Sequence, residues 1–212
     1  VHHDDALARL RLRLATSSEA RRPVARPDLP LKLGHLVTEG AVALLKPAAV
    51  LVPILRREHG HTVLLTKRAE HLRAHKGQIS FPGGRRDDSD GSYASAALRE
   101  AHEEVGLPPQ VVSVIGYLDD HPTFTGYRIT PVVGYVDAPD FAPVTDPGEV
   151  AAAFELPLGY ITGDDCFARK RFTRGGLDIP FLEIEYQGHQ IWGATAAILW
   201  NLREQFLGDD GT

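Results

Sequence analysis

The stretch that decides the reading is FPGGRRDDSDGSYASAALREAHEEVGL, residues 81–107. It opens on a glycine turn, crosses a polar loop and closes in a segment with helical spacing. At 100° per residue, with Glu100 at zero, Glu104 falls at about 40° and Glu103 at about −60°. All three acids share one face. Ala94, Ala97, Leu98, Ala101 and Val105 fall on the adjoining face, between about 60° and 160°, and form a core stripe. The acids therefore border the buried side. Like charges three and four apart destabilise a helix by roughly 0.2–0.5 kcal/mol per pair. Arg99 stands four residues before Glu103 and can pair with it. A divalent cation would relieve the rest, because Mg²⁺ takes oxygen ligands and is commonly held by one or two carboxylates plus substrate phosphates. The competing reading is a solvated acidic face.

Working outward, Gly106 stands where a helix C-cap is expected and Pro108-Pro109 forbid continuation. Upstream, AAVLVPIL (48–55) and TVLLTKR (62–68) read as two strands around a turn with Gly60 at the tight position. QISF (78–81) reads as a short strand. Downstream, strands are expected at 111–118 and 127–136, and a strand pair at 167–174 and 180–186 around Gly175-Gly176. EVAAAFELPL (149–158) reads as a short helix running into an extended piece. A short amphipathic helix is expected at 4–15, a Pro- and Arg-bearing linker at 21–30, and an amphipathic helix at 194–206. Interleaved helices and strands with hairpins predict the α/β class, a mixed sheet flanked by helices.

The whole chain has 212 residues, 43% hydrophobic and 24% charged, with a formal net charge of −5. That is a globular composition sized for one domain with extra elements. The balance gives no sign of a nucleic-acid partner, which usually calls for a basic domain. No segment reaches the ~20 apolar residues of a membrane span, and 41–55 is broken by Lys46, Pro47 and Pro53. VHHDDALARLRLRLA lacks the order of a signal peptide. The one cysteine, Cys166, forms no internal disulfide and fits a reducing compartment. A cytoplasmic location is expected, and the oligomeric state, with a homodimer as one option, is left open.

The residues Gly84 and Arg99-Glu100-Ala101-His102-Glu103-Glu104-Val105-Gly106-Leu107 resemble the signature box of the Nudix hydrolases. That signature is Gly, five residues, Glu, seven residues, then Arg-Glu-apolar-any-Glu-Glu-any-Gly-apolar. The second half matches throughout. In the first half Asp90 stands in place of Glu, and eight residues separate it from Arg99. LLTKRAEHLRAHKGQISFPGG (64–84) is similar to the segment before the box in the coenzyme A pyrophosphatase branch. The matching residues are Leu64, Leu65, Arg68, Leu72, Gly77, Gln78 and Phe81 to Gly84. Members of that branch tend to carry the longer, Asp-bearing loop. The resemblance continues through TPVVG (130–134), EVAAAFELPL and IWGATAAIL (191–199), and it spans roughly 40–206.

The resemblance implies a Nudix domain, an α/β/α sandwich over 31–212, after a helical and linker extension over 1–30. It implies an Mg²⁺- or Mn²⁺-dependent pyrophosphatase. On the branch, its substrate is coenzyme A or a derivative and its products are adenosine 3′,5′-bisphosphate and 4′-phosphopantetheine. By the motif match, Glu100, Glu103 and Glu104 are expected metal ligands, with the Gly84 carbonyl as a further one. Glu103, Glu104 and Arg99 are expected in the catalytic set. A box glutamate or Glu149 is expected to act as base, although Glu149 also suits the start of the helix read there. Arg68, His71, Arg73, His75 and Lys76 form a basic cluster. Within it Arg68, Arg73 and Lys76, together with Gln78, are expected substrate contacts, since arginine can bind phosphate oxygens in pairs. The same cluster also reads as a solvated loop. His102, at about 200°, points away from the acids. Phe124, Tyr127 and Trp192 are candidates to stack on adenine or line a pantetheine channel, or to belong to the core. The alternatives are a Nudix enzyme for ADP-ribose or another nucleotide derivative, and a sensor that binds a nucleotide without turnover.

Overall fold

Two long strands set the frame, β1 (Lys46–Arg57) and β2 (Gly60–Arg68). Valine and leucine repeat through both, and Arg57 pairs with Gly60 across a two-residue turn. Gly60 takes φ 126° there, as its place in the sequence predicts. The computed structural model describes residues 3–20, 23–24, 39–72, 75–163, 165–174 and 177–208. Arg73 and the Gly175-Gly176 turn lie outside them.

Around this hairpin the described residues build an eight-stranded mixed sheet. It includes β3 (Ile79–Ser80), β4 (Gly83–Arg85), β5 (Val112–Tyr117), β6 (His121–Pro122), β7 (Tyr127–Val136) and β8 (Val150–Pro157). The path runs β3-β2-β1-β7-β5, with β8 on the other side of β2 and β4 against β1. β1 and β7 run parallel; the remaining pairs are antiparallel. Pro53 sits inside this central strand, where a missing N–H would normally break the ladder. Its position explains the tolerance. Leu51 donates to the Pro82 carbonyl, and residues two apart face the same way. Pro53 therefore faces the gap where β1 passes from β4 (pairing through Val50) to β2 (pairing from Ile54).

Helix α3 (Tyr93–Val105) covers one face of the sheet. Its Ala96, Ala97, Ala101 and Val105 pack with Ala49, Leu51, Leu64 and Val132. The other face carries α1 (His3–Leu14), α5 (Ala194–Leu207) and a three-stranded sheet of β9 (Ala168–Arg174), β10 (Leu177–Tyr186) and β11 (His189–Trp192). Short helices α2 (Glu39–Ala43) and α4 (Leu158–Ile161) complete the set. The sandwich of helices around a mixed sheet is the one the sequence predicts.

Two regions differ from expectation or extend it. Residues 150–157 are strand throughout, with no helical start. Their alanines favour a helix in isolation, but Val150 and Ala152 to Pro157 pair along β2, with a register shift that passes over Ala151, and the ladder overrides local propensity. The helix expected in the N-terminal extension forms and buries Leu7, Leu10 and Leu14 in the same core as α5 and the sheet. Arg13 Nη1 donates to the carbonyls of Glu204 at 3.4 Å and Gln205 at 3.2 Å, on the last turn of α5, where cations are favoured.

A half-buried clamp closes the β1–β2–β8 edge. Arg57 donates through Nε at 3.0 Å and Nη2 at 2.6 Å to the two oxygens of Glu155, and Thr62 Oγ1 donates to the same carboxylate at 2.6 Å. Burial pushes the Glu155 carboxyl up, but the Arg57 and Thr62 hydrogen bonds outweigh it and hold the value below the usual range. A depressed carboxyl contributes stability above its unfolded value and loses it as pH falls through the folded one. Glu155→Gln is expected to cost about 1–3 kcal/mol near neutrality. In urea melts across pH, the gap to wild type should hold above about pH 5 and close below it.

Candidate active site

Helix α3 is fixed at both ends by its own sequence. Ser92 is the N-cap and exchanges hydrogen bonds with Ser95, and Gly106 ends the helix in the left-handed region at φ 67°. The loop between β7 and β8 ties down the final carbonyls: Val144 N–H donates to Val105 and Asp146 N–H donates to Glu104, both at 3.0 Å. The expected faces form. The Glu104 side chain is 3% exposed, Glu100 16% and Glu103 57%. The acids thus run from the core to solvent across one side of the helix. His102 is exposed and Ala94 and Leu98 flank the core.

Two arginines and one backbone N–H hold the three acids. Arg99 reaches Glu100 and Glu103, each at 3.0 Å. Its Nε and Nη2 also donate to the two oxygens of Asp90 at 3.0 Å. Asp90, the residue standing where the box has Glu, is therefore the buried anchor of Arg99. The Arg99 pair holds the Asp90 carboxyl below its usual value against the opposing effect of burial. Glu104 accepts the Gly83 N–H at 3.1 Å and lies 3.9 Å from Arg68 Nη1. Gly84 is pressed against Glu100: a Cβ there would stand 2.6 Å from the carboxyl carbon. Any larger residue there would displace the Glu100 carboxylate from this place.

The NUDIX domain family model matches residues 45–172, which contain this whole arrangement. The chain belongs to the Nudix hydrolase family. An uncharacterized Nudix hydrolase, NudL, of Enterobacter sp. (strain 638) is 45% identical over 160 residues, covering 76% of this chain and 82% of its own. The NudL of Cronobacter sakazakii (strain ATCC BAA-894) is 45% identical over 161 residues, with the same coverage of each chain. Among solved structures, a Nudix hydrolase from M. smegmatis, RenU, is 26% identical over 54% of this chain and 71% of its own, with a TM-score of 0.42.

In this Nudix hydrolase the box is short of positive charge. Burial pushes the Glu104 carboxyl up to about 7, although the Gly83 N–H and Arg68 pull it down. Burial raises Glu100 as well, against the opposing pull of Arg99. Glu149 adds to both effects through its charge, so the structure brings it into the field of the box. It does so from an exposed position, on the loop that His71 Nε2 joins at the Gly148 carbonyl, 3.0 Å away. Among the described residues no three His, Cys, Asp or Glu side chains converge as a preassembled cation cluster; the arginines hold the carboxylates instead. The donor set nonetheless fits a hard divalent cation, with oxygen ligands only and a glycine that leaves Glu100 accessible backbone beside it.

The basic cluster divides. Arg68 joins the box through Glu104, and its Nε is buried without a hydrogen-bond partner. Gln78 closes its own loop: Oε1 meets His75 Nδ1 at 2.8 Å, and its carbonyl accepts the Arg68 N–H at 3.0 Å. Lys76 is exposed, and Arg73 lies outside the described residues. Trp192 packs on Phe181 on the outer side of the small sheet, Phe124 is exposed at a turn, and Tyr127 is half-buried at the start of β7. Two contacts escape sequence reading, the Gly83 N–H and the Arg68 guanidinium at Glu104. Both join residues that only the β1–β2–β4 pairing brings to α3.

A carboxyl raised on folding favours the folded state in its protonated form, so stability falls as pH climbs from the usual glutamate range through the raised value. In the metal-free protein, Glu104→Gln should therefore melt above wild type at pH 8, with the gap closing towards about pH 4. Added Mn²⁺ should raise the wild-type melting temperature and leave that of Glu104→Gln nearly unchanged, by differential scanning fluorimetry.

Proposed function

We propose that this Nudix hydrolase cleaves the diphosphate of coenzyme A, or of a derivative, to adenosine 3′,5′-bisphosphate and 4′-phosphopantetheine. The observation that carries the reading is the place of Arg68. It belongs to the LLTKR…GQISFPGG segment that resembles the coenzyme A branch, and its guanidinium stands 3.9 Å from the most buried box glutamate. On this reading the segment that would recognise the substrate and the carboxylates that would hold the metal share the Arg68 side chain.

Glu100, Glu103 and Glu104 would hold Mg²⁺ or Mn²⁺, with the Gly84 carbonyl as a further oxygen. Such an ion neutralises diphosphate charge, lowers the pKa of the attacking water and stabilises the leaving oxygen. The chain's own groups supply the rest. Arg99, anchored on Asp90, fixes how far Glu100 and Glu103 can swing. Arg68 offers its fork to a phosphate oxygen, a role suited to a guanidinium. Either Glu149 or a box glutamate that is not bound to metal would accept a proton from water. Arg73 and Lys76 are proposed for the outer phosphates, and Gln78 holds His75 next to Lys76.

Mass spectrometry of products after incubation with coenzyme A and Mg²⁺ tests the reading, with ADP-ribose in parallel. Bisphosphate and phosphopantetheine are expected only with metal, and Glu103→Gln should slow their formation roughly a hundredfold or more. Cleavage of ADP-ribose without cleavage of coenzyme A would reject this substrate and keep the diphosphate chemistry.

A further inference from the structure

The segment before residue 25 lies outside the family match at 45–172, yet it touches the box helix directly. Glu19 Oε1 accepts the Ala94 N–H at 3.2 Å and the Tyr117 hydroxyl at 2.9 Å. Ala94 is the second residue of α3, and its N–H is one of the donors that a helix start leaves without an intrahelical partner. Ser92 serves the next donor, Ser95 N–H. The start of the box helix is thus capped from two places, one local and one 75 residues away in sequence. A carboxylate is also the favoured charge at a helix N-terminus.

The described residues on either side of Glu19 are themselves pinned. Arg13 holds the end of α5. Ser17 Oγ accepts the Tyr117 N–H at 2.9 Å, and the Pro23 carbonyl accepts the Asp120 N–H at 2.9 Å. Between these points it fills a bulge. β5 slips register between Val114 and Gly116, Gly116 takes φ 149°, and a Cβ there would stand 2.6 Å from both Leu14 Cβ and Ser17 Oγ. The bulge accepts the segment only because Gly116 has no side chain.

We propose that Glu19 is a positioning residue for the metal-binding face of α3, and that residues 14–20 are a strap setting where that helix sits against β4. Ala94 and Glu100 lie six residues apart on one helix, about 9 Å at 1.5 Å per residue. A tilt or slide at the first turn therefore reaches Glu100, which is already pressed on Gly84 with no room for a methyl group. Glu19 touches no reacting atom; it acts through the helix.

The inference rests on the box glutamates being cation ligands, and the test separates the two readings. Mn²⁺ binding is titrated by electron paramagnetic resonance on wild type, Glu19→Ala, Glu19→Gln and Thr62→Val, with melting temperatures alongside. Thr62→Val destabilises the distant Arg57–Glu155 clamp and controls for stability alone. Glu19→Ala should weaken Mn²⁺ binding about fivefold, the scale of one lost cap. Glu19→Gln, whose amide oxygen still accepts both hydrogen bonds, should bind as wild type does. Wild-type binding by Glu19→Ala, or equal weakening by Thr62→Val at a matched melting temperature, would overturn the strap and leave the metal site standing. Failure of wild type itself to bind Mn²⁺ would overturn both.

Discussion

Crowded carboxylates on one helix need cations near them, and the surroundings of α3 are organised by that need. Glu104 is the extreme case: at 3% exposure its charge is costly unless hydrogen bonds and counter-charges surround it. The protein supplies one backbone N–H and one arginine at 3.9 Å, which is not enough to keep the carboxyl at its usual value. Arg99 meets the demand of the more exposed acids, and Asp90 in turn holds Arg99. The glycine pair at 83–84 and the packing of α3 on β1 and β4 follow from the same requirement, since the acids must meet backbone that no side chain obstructs.

This acidic face is held in a rigid frame. The helix is capped locally at both ends, tied by its last carbonyls to the loop before β8, and tied at its start to Glu19. Two segments far apart in sequence converge on thirteen helical residues that their own caps already hold. A ligand that changes the charge balance at the box therefore acts on a helix that has little freedom to move away, the condition under which charged groups keep their geometry.

The N-terminal segment alters how the domain is understood. Its helix contributes Leu7, Leu10 and Leu14 to the core shared with α5 and the sheet, and Arg13 caps α5 from outside. The first and last helices thus close one face together, opposite the face that carries the box. The two faces meet through β5, where Gly116, Ser17, Tyr117 and Glu19 join strap, strand and box helix.

Local chemistry is what the sequence by itself determined. The shared face of Glu100, Glu103 and Glu104, the Gly106 cap, the Gly60 turn and the Arg99–Glu103 pair all depend on residues within four positions or on one residue's backbone freedom, so periodicity and residue type reveal them. The resemblance extended this to the family and to Arg68. The tertiary structure decided what depends on distant partners. Residues 150–157 became strand because β2 offered a ladder that outweighed the alanines' helical preference. Asp90, a departure from the box in the linear reading, became the anchor of Arg99 once the loop folded back. Arg68 reached Glu104, and Glu19 reached Ala94, only because sheet pairing and a bulge placed them there. A helix face repeats with the chain, but a contact across 36 or 75 residues is set by packing.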